Sequence, residues 1–178
     1  MPIFSSLRYR NTAQASLEAS EQLITFCLQS EWFALPINTI EKVIILPSIH
    51  GDPNNTGISI TNYEGRELLV LDVSLRLFGK STTSVRQESN LKTHSFKNQR
   101  YLIIVKTKTE ELVGIPINSS PVIRRVPKSA FIPLPDIYLK QGNIQCLSST
   151  MLQLADEAPI FIIEAEQLLR PEAILAQT

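Results

Sequence analysis

The chain has 178 residues, enough for one ordinary domain or two tightly joined small ones with a substantial buried core. Its 17 basic and 17 acidic residues cancel, so the chain as a whole lacks the positive footprint of a nucleic-acid or lipid binder. Cys27 and Cys146 have no neighbouring His or second Cys, which predicts two buried thiols and no metal site. Because neither a signal peptide nor an apolar stretch of membrane-spanning length is found, we expect a cytoplasmic protein.

The first ordered element is predicted to be a β-hairpin. Residues 1–20 are polar and aperiodic, which is typical of a mobile tail, and we expect order to begin near Gln22. Residues 23–28 and 32–37 are rich in β-branched and aromatic side chains and are separated by a polar turn, which predicts two paired strands. Pro36 cannot donate a ladder hydrogen bond, so we expect it at a sheet edge or a bulge.

The segment after the hairpin changes its periodicity. Ile40, Val43 and Ile44 have the i, i+3, i+4 spacing of one helical face, which predicts a short helix or one irregular turn. A loop rich in Gly, Pro and Asn follows, and it leads into alternating residues at 58–60 that predict another strand.

The clearest run from turn to strand to helix lies at residues 62–79, NYEGRELLVLDVSLRLFG. Gly65 accepts backbone conformations that a Cβ atom penalises, so residues 63–66 are predicted to form a turn. The apolar run at 68–71 is too short for a buried helix and predicts a strand. Asp72 then supplies an N-cap for a short helix, which Gly79 would end.

A polar connection at residues 80–99 is predicted to be flexible and to divide the chain into halves, the second of which repeats the first. Residues 35–38 match 115–118 at an offset of 115 − 35 = 80, and residues 70–72 have a weaker echo in 162–164. Chance similarity between two apolar hairpins is the alternative, but the shared order of elements favours a duplication. Many short strands and few helices predict an all-β sandwich or barrel, and the duplication favours two small barrels.

No motif for catalysis or for a cofactor is found. The sequence contains no P-loop, dinucleotide-binding, Cys-x-x-Cys, His-Glu-x-x-His or nucleophile-elbow pattern. His50 and His94 lie in polar loops without a catalytic partner. The second half is locally basic, but it lacks the interleaved aromatic residues that a nucleic-acid groove needs. We therefore expect no enzyme, no cofactor and no metal.

The stretch at 62–79 resembles the core signature of the CheW-like domain family, the adaptor modules of bacterial chemosensory arrays. Five residues keep the family pattern: Asn62, Gly65, Asp72, Arg76 and Gly79. Two residues depart from it, since Glu64 stands where the family usually has Arg and Leu69 where it usually has Pro. The resemblance covers about residues 21–169. It implies one CheW-like domain at 21–170 between short tails, 1–20 and 171–178.

The resemblance implies two packed SH3-like five-stranded β-barrels with short helical segments, joined by a shared core. It also implies a non-enzymatic adaptor that couples a methyl-accepting chemoreceptor to a CheA-like histidine kinase, in chemotaxis or pilus-driven motility. One barrel would dock on the kinase, and a groove between the barrels would take the receptor's hairpin tip. The protein would bind no nucleic acid and would reach the membrane only through the receptor. The alternative is a divergent β-barrel module that binds nucleic acid or another regulator.

Motif matching implies a partner-binding surface made of six residues: Ile40, Lys42, Val43, Asn62, Glu64 and Gly65. Ile40 and Val43 would be its apolar anchors, with ordinary core burial as the alternative. The family commonly has an acidic residue where this chain has Lys42 and an arginine where it has Glu64. We therefore expect a reversed ion pair that meets across the groove, the alternative being two independent surface residues.

Overall fold

The computed structural model of the chain describes residues 19–51, 56–78, 100–139 and 146–169. The first stretch contains strands β1 (Ser20–Leu28), β2 (Glu31–Pro36) and β3 (Ile40–Ile45), with a 3₁₀ turn at Ile37–Thr39. The second contains β4 (Ile58–Tyr63), β5 (Arg66–Leu71) and helix α1 (Val73–Phe78). β1 thus begins slightly before the predicted position near Gln22.

The remaining two stretches hold the other elements. The third contains β6 (Tyr101–Lys106), β7 (Leu112–Ile117), β8 (Val122–Pro127), a 3₁₀ turn (Lys128–Ala130), β9 (Phe131–Pro133) and helix α2 (Asp136–Leu139). The fourth contains β10 (Leu147–Leu152), β11 (Ile160–Ile163) and helix α3 (Ala165–Leu168). The predicted connection with His94, the helix end at Gly79, the C-terminal tail and residues 1–18 of the N-terminal tail lie outside the described residues.

The strands form two mixed sheets, and this confirms the predicted all-β class. The first sheet has the order β8-β1-β2-β11-β10-β9, and the second has the order β3-β6-β7-β5-β4. Each sheet contains one parallel pair, β2 with β11 and β5 with β7, while the other pairs are antiparallel. The predicted hairpin, the strand at 58–60, the turn at 63–66 and the strand at 68–71 are all present.

Each sheet is closed by one segment that touches both of its ends. In the second sheet the segment after β3 returns to β4, where His50 and Ile60 exchange two backbone hydrogen bonds. Thr61 Oγ1 also donates to Ser48 O at 2.7 Å. In the first sheet β8 and β9 are consecutive, since only the 3₁₀ turn separates them, and they pair with β1 and β10 respectively. Counting β8 and β9 as one bent strand gives two five-stranded barrels.

Neither barrel is built from one half of the chain. We call the barrel with β1, β2 and β8–β11 the first barrel and the barrel with β3–β7 the second. The N-terminal hairpin β1–β2 pairs with strands from the C-terminal half, whereas β3 and β5 pair with the β6–β7 hairpin. The two halves of the chain have therefore exchanged strands.

The predicted internal repeat is visible in the strand pairing. β5 lies parallel to β7 with Leu69 opposite Val113, and β11 lies parallel to β2 with Phe161 opposite Phe33. The offsets between equivalent residues are 113 − 33 = 80 and 161 − 69 = 92, which are the two offsets that the sequence matches give. The two barrels therefore share one strand-pairing scheme.

The buried apolar residues of the described ranges form three clusters. One lies inside the first barrel and includes Leu23 and Ile162, and another lies inside the second barrel and includes Leu102 and Ile104. The largest cluster combines residues from both sheets, among them Phe33 and Ile103, and forms the shared core. Adjacent residues on one strand alternate between a barrel interior and the shared core, so both faces are buried. This explains why these strands read as unbroken apolar runs.

The prediction of a short helix or an irregular turn at Ile40, Val43 and Ile44 is wrong, because this segment is strand β3. A β-bulge between Ile40 and Lys42 inserts one extra residue, so Ile40 and Val43 both pack against the shared core although they are three residues apart. Ile44 faces the interior of the second barrel. The bulge therefore imitates helical spacing in a β-strand.

Pro36 lies at a local sheet edge, as predicted: β2 is an interior strand, but its pairing with β11 ends before Pro36. Pro36 is the last residue of β2, and β11 pairs only with Trp32, Phe33 and Ala34. No ladder donor is needed beyond the end of that pairing, so proline is tolerated.

Candidate functional site

Three of the predicted partner-binding residues lie at the β4–β5 turn: Asn62 near the end of β4, and Glu64 and Gly65 in the turn itself. Tyr63 pairs with Arg66, which leaves Glu64 and Gly65 as a two-residue turn with φ of 52° and 78°. Positive φ at both positions is the geometry that suits a tight hairpin, and glycine adopts it without a steric penalty. The Gly65 N–H donates to Asn62 Oδ1 at 3.1 Å, so Asn62 stabilises the turn that displays Glu64.

Lys42 and Glu64 form the predicted ion pair. Lys42 Nζ lies 3.4 Å from Glu64 Oε1, and the two side chains are 54% and 65% exposed. Lys42 Nζ also lies 5.9 Å from the centre of the Tyr63 ring. The pKa of the Tyr63 hydroxyl is raised by desolvation and then by the adjacent Glu64 carboxylate. An ion pair this exposed contributes only ~0–1 kcal/mol to stability, so its charges remain available to a partner.

The expectation that this pair meets across a groove between the barrels is wrong. Lys42 lies on β3 and Glu64 in the β4–β5 turn, and both elements belong to the second barrel. β3 and β4 are the two ends of its sheet, and barrel closure brings these ends together. The ion pair therefore spans the seam of one barrel.

Ile40 and Val43 are half-buried residues that pack against the shared core, so at least part of each side chain is core. The exposed apolar residues of the second barrel are Ile45 and Ile60, which are 67% and 41% exposed. Sequence reasoning missed both. Ile45 is two residues from Val43 and shares its face of β3, so alternation alone would not have shown that Ile45 is exposed.

The first barrel carries an ion pair at the corresponding place. Arg124 on β8 pairs with Glu157 in the β10–β11 turn, as Lys42 on β3 pairs with Glu64. The Arg124 guanidinium lies 6.0 Å from the Trp32 ring centre, and neighbouring Asp156 has a φ of 59°. Both barrels thus join their closing strand to the connection between two later strands through a cation beside an aromatic ring. The sequence offers no direct signal for this pair.

A cleft of about 760 Å³ lies where the β6–β7 turn of the second barrel meets the first barrel. Its apolar lining includes Pro36, Phe131, Ile162, Ile163 and Ala165. Its charged lining consists of Glu21, Lys106, Lys108, Glu110, Glu164 and Glu166. None of the six predicted partner-binding residues lines it, although Asn38 and Thr39, which precede β3, do.

Several side-chain contacts join the barrels around their short helices. The Lys108 N–H donates to Glu166 Oε1, which links the β6–β7 turn to α3. Buried Arg76 on α1 donates from Nη1 to Leu168 O at 3.0 Å, and desolvation lowers its pKa. Arg76 is one of the residues that carry the family resemblance, and its position here is structural.

Within residues 19–51, 56–78, 100–139 and 146–169, no group of three His, Cys, Asp or Glu side chains could hold a metal ion. No helix in these ranges is long and apolar enough to span a membrane. Cys146 is buried, and desolvation raises its pKa to about 11 despite the opposing effect of Arg76.

The fold defines a double-barrel β-protein whose closing strands and turns present charged residues at the surface. The chain belongs to the CheW-like domain family, whose model matches residues 22–173. Its structure is similar to that of the scaffolding protein TtCheW from Thermoanaerobacter tengcongensis, with a TM-score of 0.62 and 19% sequence identity. The similarity covers 82% of this chain and 90% of that protein. No curated protein matches the sequence.

The family match confirms the resemblance seen at residues 62–79. The fold match confirms the double-barrel architecture that the resemblance implied. Members of this family are scaffolding proteins of chemotaxis-type signalling, which supports the chain as an adaptor of that type.

Proposed function

We propose that the protein is a non-enzymatic adaptor that couples a methyl-accepting-type chemoreceptor to a CheA-like histidine kinase. The observation that carries the proposal is the match of the CheW-like family model to residues 22–173, which takes in both barrels. In this function the protein works in the cytoplasm, reaches the membrane only through the receptor and needs neither a cofactor nor nucleic acid. Its mechanism is to hold two partners in a fixed arrangement.

The proposed contact surface on the second barrel is the seam that holds Lys42 and Glu64. Both side chains are more than half exposed, and Asn62 with Gly65 fixes the turn that carries Glu64. Interfaces of this kind combine a small apolar centre with a charged rim. Ile45 and Ile60 supply exposed apolar area on the same barrel, while Ile40 and Val43 support β3 from the shared core.

The charges at the seam would act mainly on the choice of partner. Because the pair is exposed, losing it costs little folding energy. Like charges brought together at an interface, by contrast, disfavour a complex by up to several kcal/mol. A partner that fits this protein would place an acidic group near Lys42 and a basic group near Glu64.

The test measures binding to the receptor's cytoplasmic fragment and to the kinase's regulatory domain from the same source. We expect Lys42→Glu or Glu64→Arg to weaken binding to at least one of these two fragments by roughly tenfold, because each substitution places two like charges at the seam. The double exchange should restore the pair's mutual attraction and favour partners from systems with the more usual charge order. Lys128→Glu is the matched control, since Lys128 is an exposed cation on the first barrel.

The proposal fails if neither fragment binds the wild-type protein. Capture from a lysate that disappears after nuclease treatment would instead support the nucleic-acid alternative. If both fragments bind but the Lys42 and Glu64 variants behave like Lys128→Glu, the adaptor function stands and the proposed surface is wrong. A double-mutant cycle with a coupling energy of zero would show that the two residues act independently.

A further inference from the structure

The cleft between the β6–β7 turn and the first barrel has more acidic than basic side chains. Four carboxylates line it, from Glu21, Glu110, Glu164 and Glu166, against two ammonium groups, from Lys106 and Lys108. Lys106 and Glu110 pair with each other, which leaves three carboxylates against the single ammonium group of Lys108. Together with its apolar lining, this charge excess fits a segment that carries both apolar and cationic side chains.

The chain enters the described structure beside this cleft. Ala19 O accepts a hydrogen bond from Lys128 N at 3.0 Å, which holds the start of β1 against the end of β8. Glu21, two residues further on, lines the cleft. Residues 1–18 are therefore joined to the fold within about 7 Å of a cleft-lining residue, at ~3.3 Å of strand rise per residue.

The sequence of residues 1–18, MPIFSSLRYRNTAQASLE, has the composition that the cleft requires. Ile3, Phe4 and Leu7 are apolar, and Arg8 and Arg10 are the cations beside them. The segment's one acidic residue is at its far end, next to Ala19. Arg10 lies nine residues before Ala19, a span of up to ~30 Å in an extended chain, which is ample to reach into the cleft.

We propose that residues 1–18 fold back and occupy this cleft, with Arg8 and Arg10 facing its carboxylates and Ile3, Phe4 and Leu7 against its apolar lining. A tethered segment has an effective concentration in the millimolar range, so weak contacts suffice for substantial occupancy. Any partner that uses the cleft must displace the segment. This role is compatible with a segment that is dispensable for folding, and it does not depend on the adaptor function.

Residues 170–178 are the competing occupant, because Ala165 and Glu166 of α3 also line the cleft. In that segment Arg170 and Glu172 cancel, so it lacks the net positive charge of residues 1–18. Charge complementarity therefore favours the N-terminal segment.

Disulfide cross-linking in the full chain tests the proposal without any partner. Ser6→Cys is combined with Asn38→Cys, since Asn38 is exposed and lines the cleft, and all variants carry Cys27→Ser because the half-exposed Cys27 would compete. The matched control combines Ser6→Cys with Asn118→Cys, because Asn118 is exposed, occupies the equivalent repeat position and does not line the cleft. We expect the Asn38 pair to form its disulfide roughly tenfold faster than the Asn118 pair, as a docked tether raises the local concentration.

Adding Arg8→Glu and Arg10→Glu should remove most of this difference, and so should high salt, because charge attraction holds the segment. Equal rates for the Asn38 and Asn118 pairs would overturn the proposal. It is equally overturned if Ala176→Cys cross-links to Asn38→Cys quickly while Ser6→Cys does not, which would assign the cleft to residues 170–178. Since no receptor or kinase is present, failure of the adaptor proposal cannot produce either result.

Discussion

Replacing Asp72 by alanine should destabilise the fold far more than the equivalent change in the other half of the chain. Asp72 follows β5 and precedes α1, and its Oδ1 accepts the Leu75 N–H at 3.0 Å. Asp72 is only 5% exposed and Leu75 9%, so water has little access to replace that bond. The equivalent residue Glu164 precedes α3 and makes no side-chain cap hydrogen bond.

The expected loss follows from two contributions that partly overlap. Removal of an N-cap side chain costs about 0.5–2 kcal/mol. A buried N–H left without its partner costs about 1–3 kcal/mol. We therefore expect the free energy of unfolding to fall by about 2 kcal/mol for Asp72→Ala, or about 4–8 °C in Tm for a domain of this size.

Thermal and urea denaturation of the full chain measure the effect. Asp72→Asn keeps an acceptor oxygen and should lose no more than roughly half as much as Asp72→Ala, since Asn and Asp cap helices about equally well. Glu164→Ala should stay within about 0.5 kcal/mol of the wild type. If Asp72→Ala and Glu164→Ala lower the free energy of unfolding equally, the Asp72 cap hydrogen bond does not contribute the expected stability.

Three further outcomes are expected. At pH 8 iodoacetamide should label Cys27 before Cys146. Desolvation raises the pKa of both thiols, but it raises that of buried Cys146 from 9.0 to about 11, which leaves roughly a hundredfold less thiolate than an unshifted cysteine has, and burial hinders access as well. Equal labelling rates would contradict this. Gly65→Ala should lower the free energy of unfolding by about 1 kcal/mol. No atom lies within 4 Å of the added Cβ, so the cost comes from the φ of 78° alone, and Gly65→Asn should lose less stability because Asn tolerates positive φ better than Ala. Limited proteolysis should cut within residues 80–99 before it cuts within 68–71, and early cleavage in β5 would overturn the domain prediction.

Local patterns predicted the elements whose residues decide their own conformation. Gly65 marks a turn because of its backbone freedom, and Asp72 marks a helix start because its side chain reaches the backbone two to three residues on. Both signals are local in sequence. The structure bears them out because the neighbouring elements do not compete with them.

Features that depend on distant partners could not be predicted in the same way. β3 resembled a helix because the bulge after Ile40 places residues three apart on one face, and only its pairing with β6 shows that it is a strand. The Arg124–Glu157 pair joins β8 to a turn in another part of the chain, and nothing in either local pattern indicates the other. The Lys42–Glu64 pair was expected from the family resemblance, yet its position within one barrel required the sheet order.

The exchange of strands between the halves has a consequence for how the protein folds and responds. Thr25 on β1 bonds to Val122 on β8 across 97 residues of sequence, so the first barrel cannot close until most of the chain has been made. Such non-local closure slows folding. A polypeptide cut within residues 80–99 should give two fragments, neither with a complete barrel, that regain structure only by associating. The strands of one barrel continue directly along the chain into strands of the other. A partner that loosens one barrel must therefore also strain the other, so the two barrels respond as one mechanical unit.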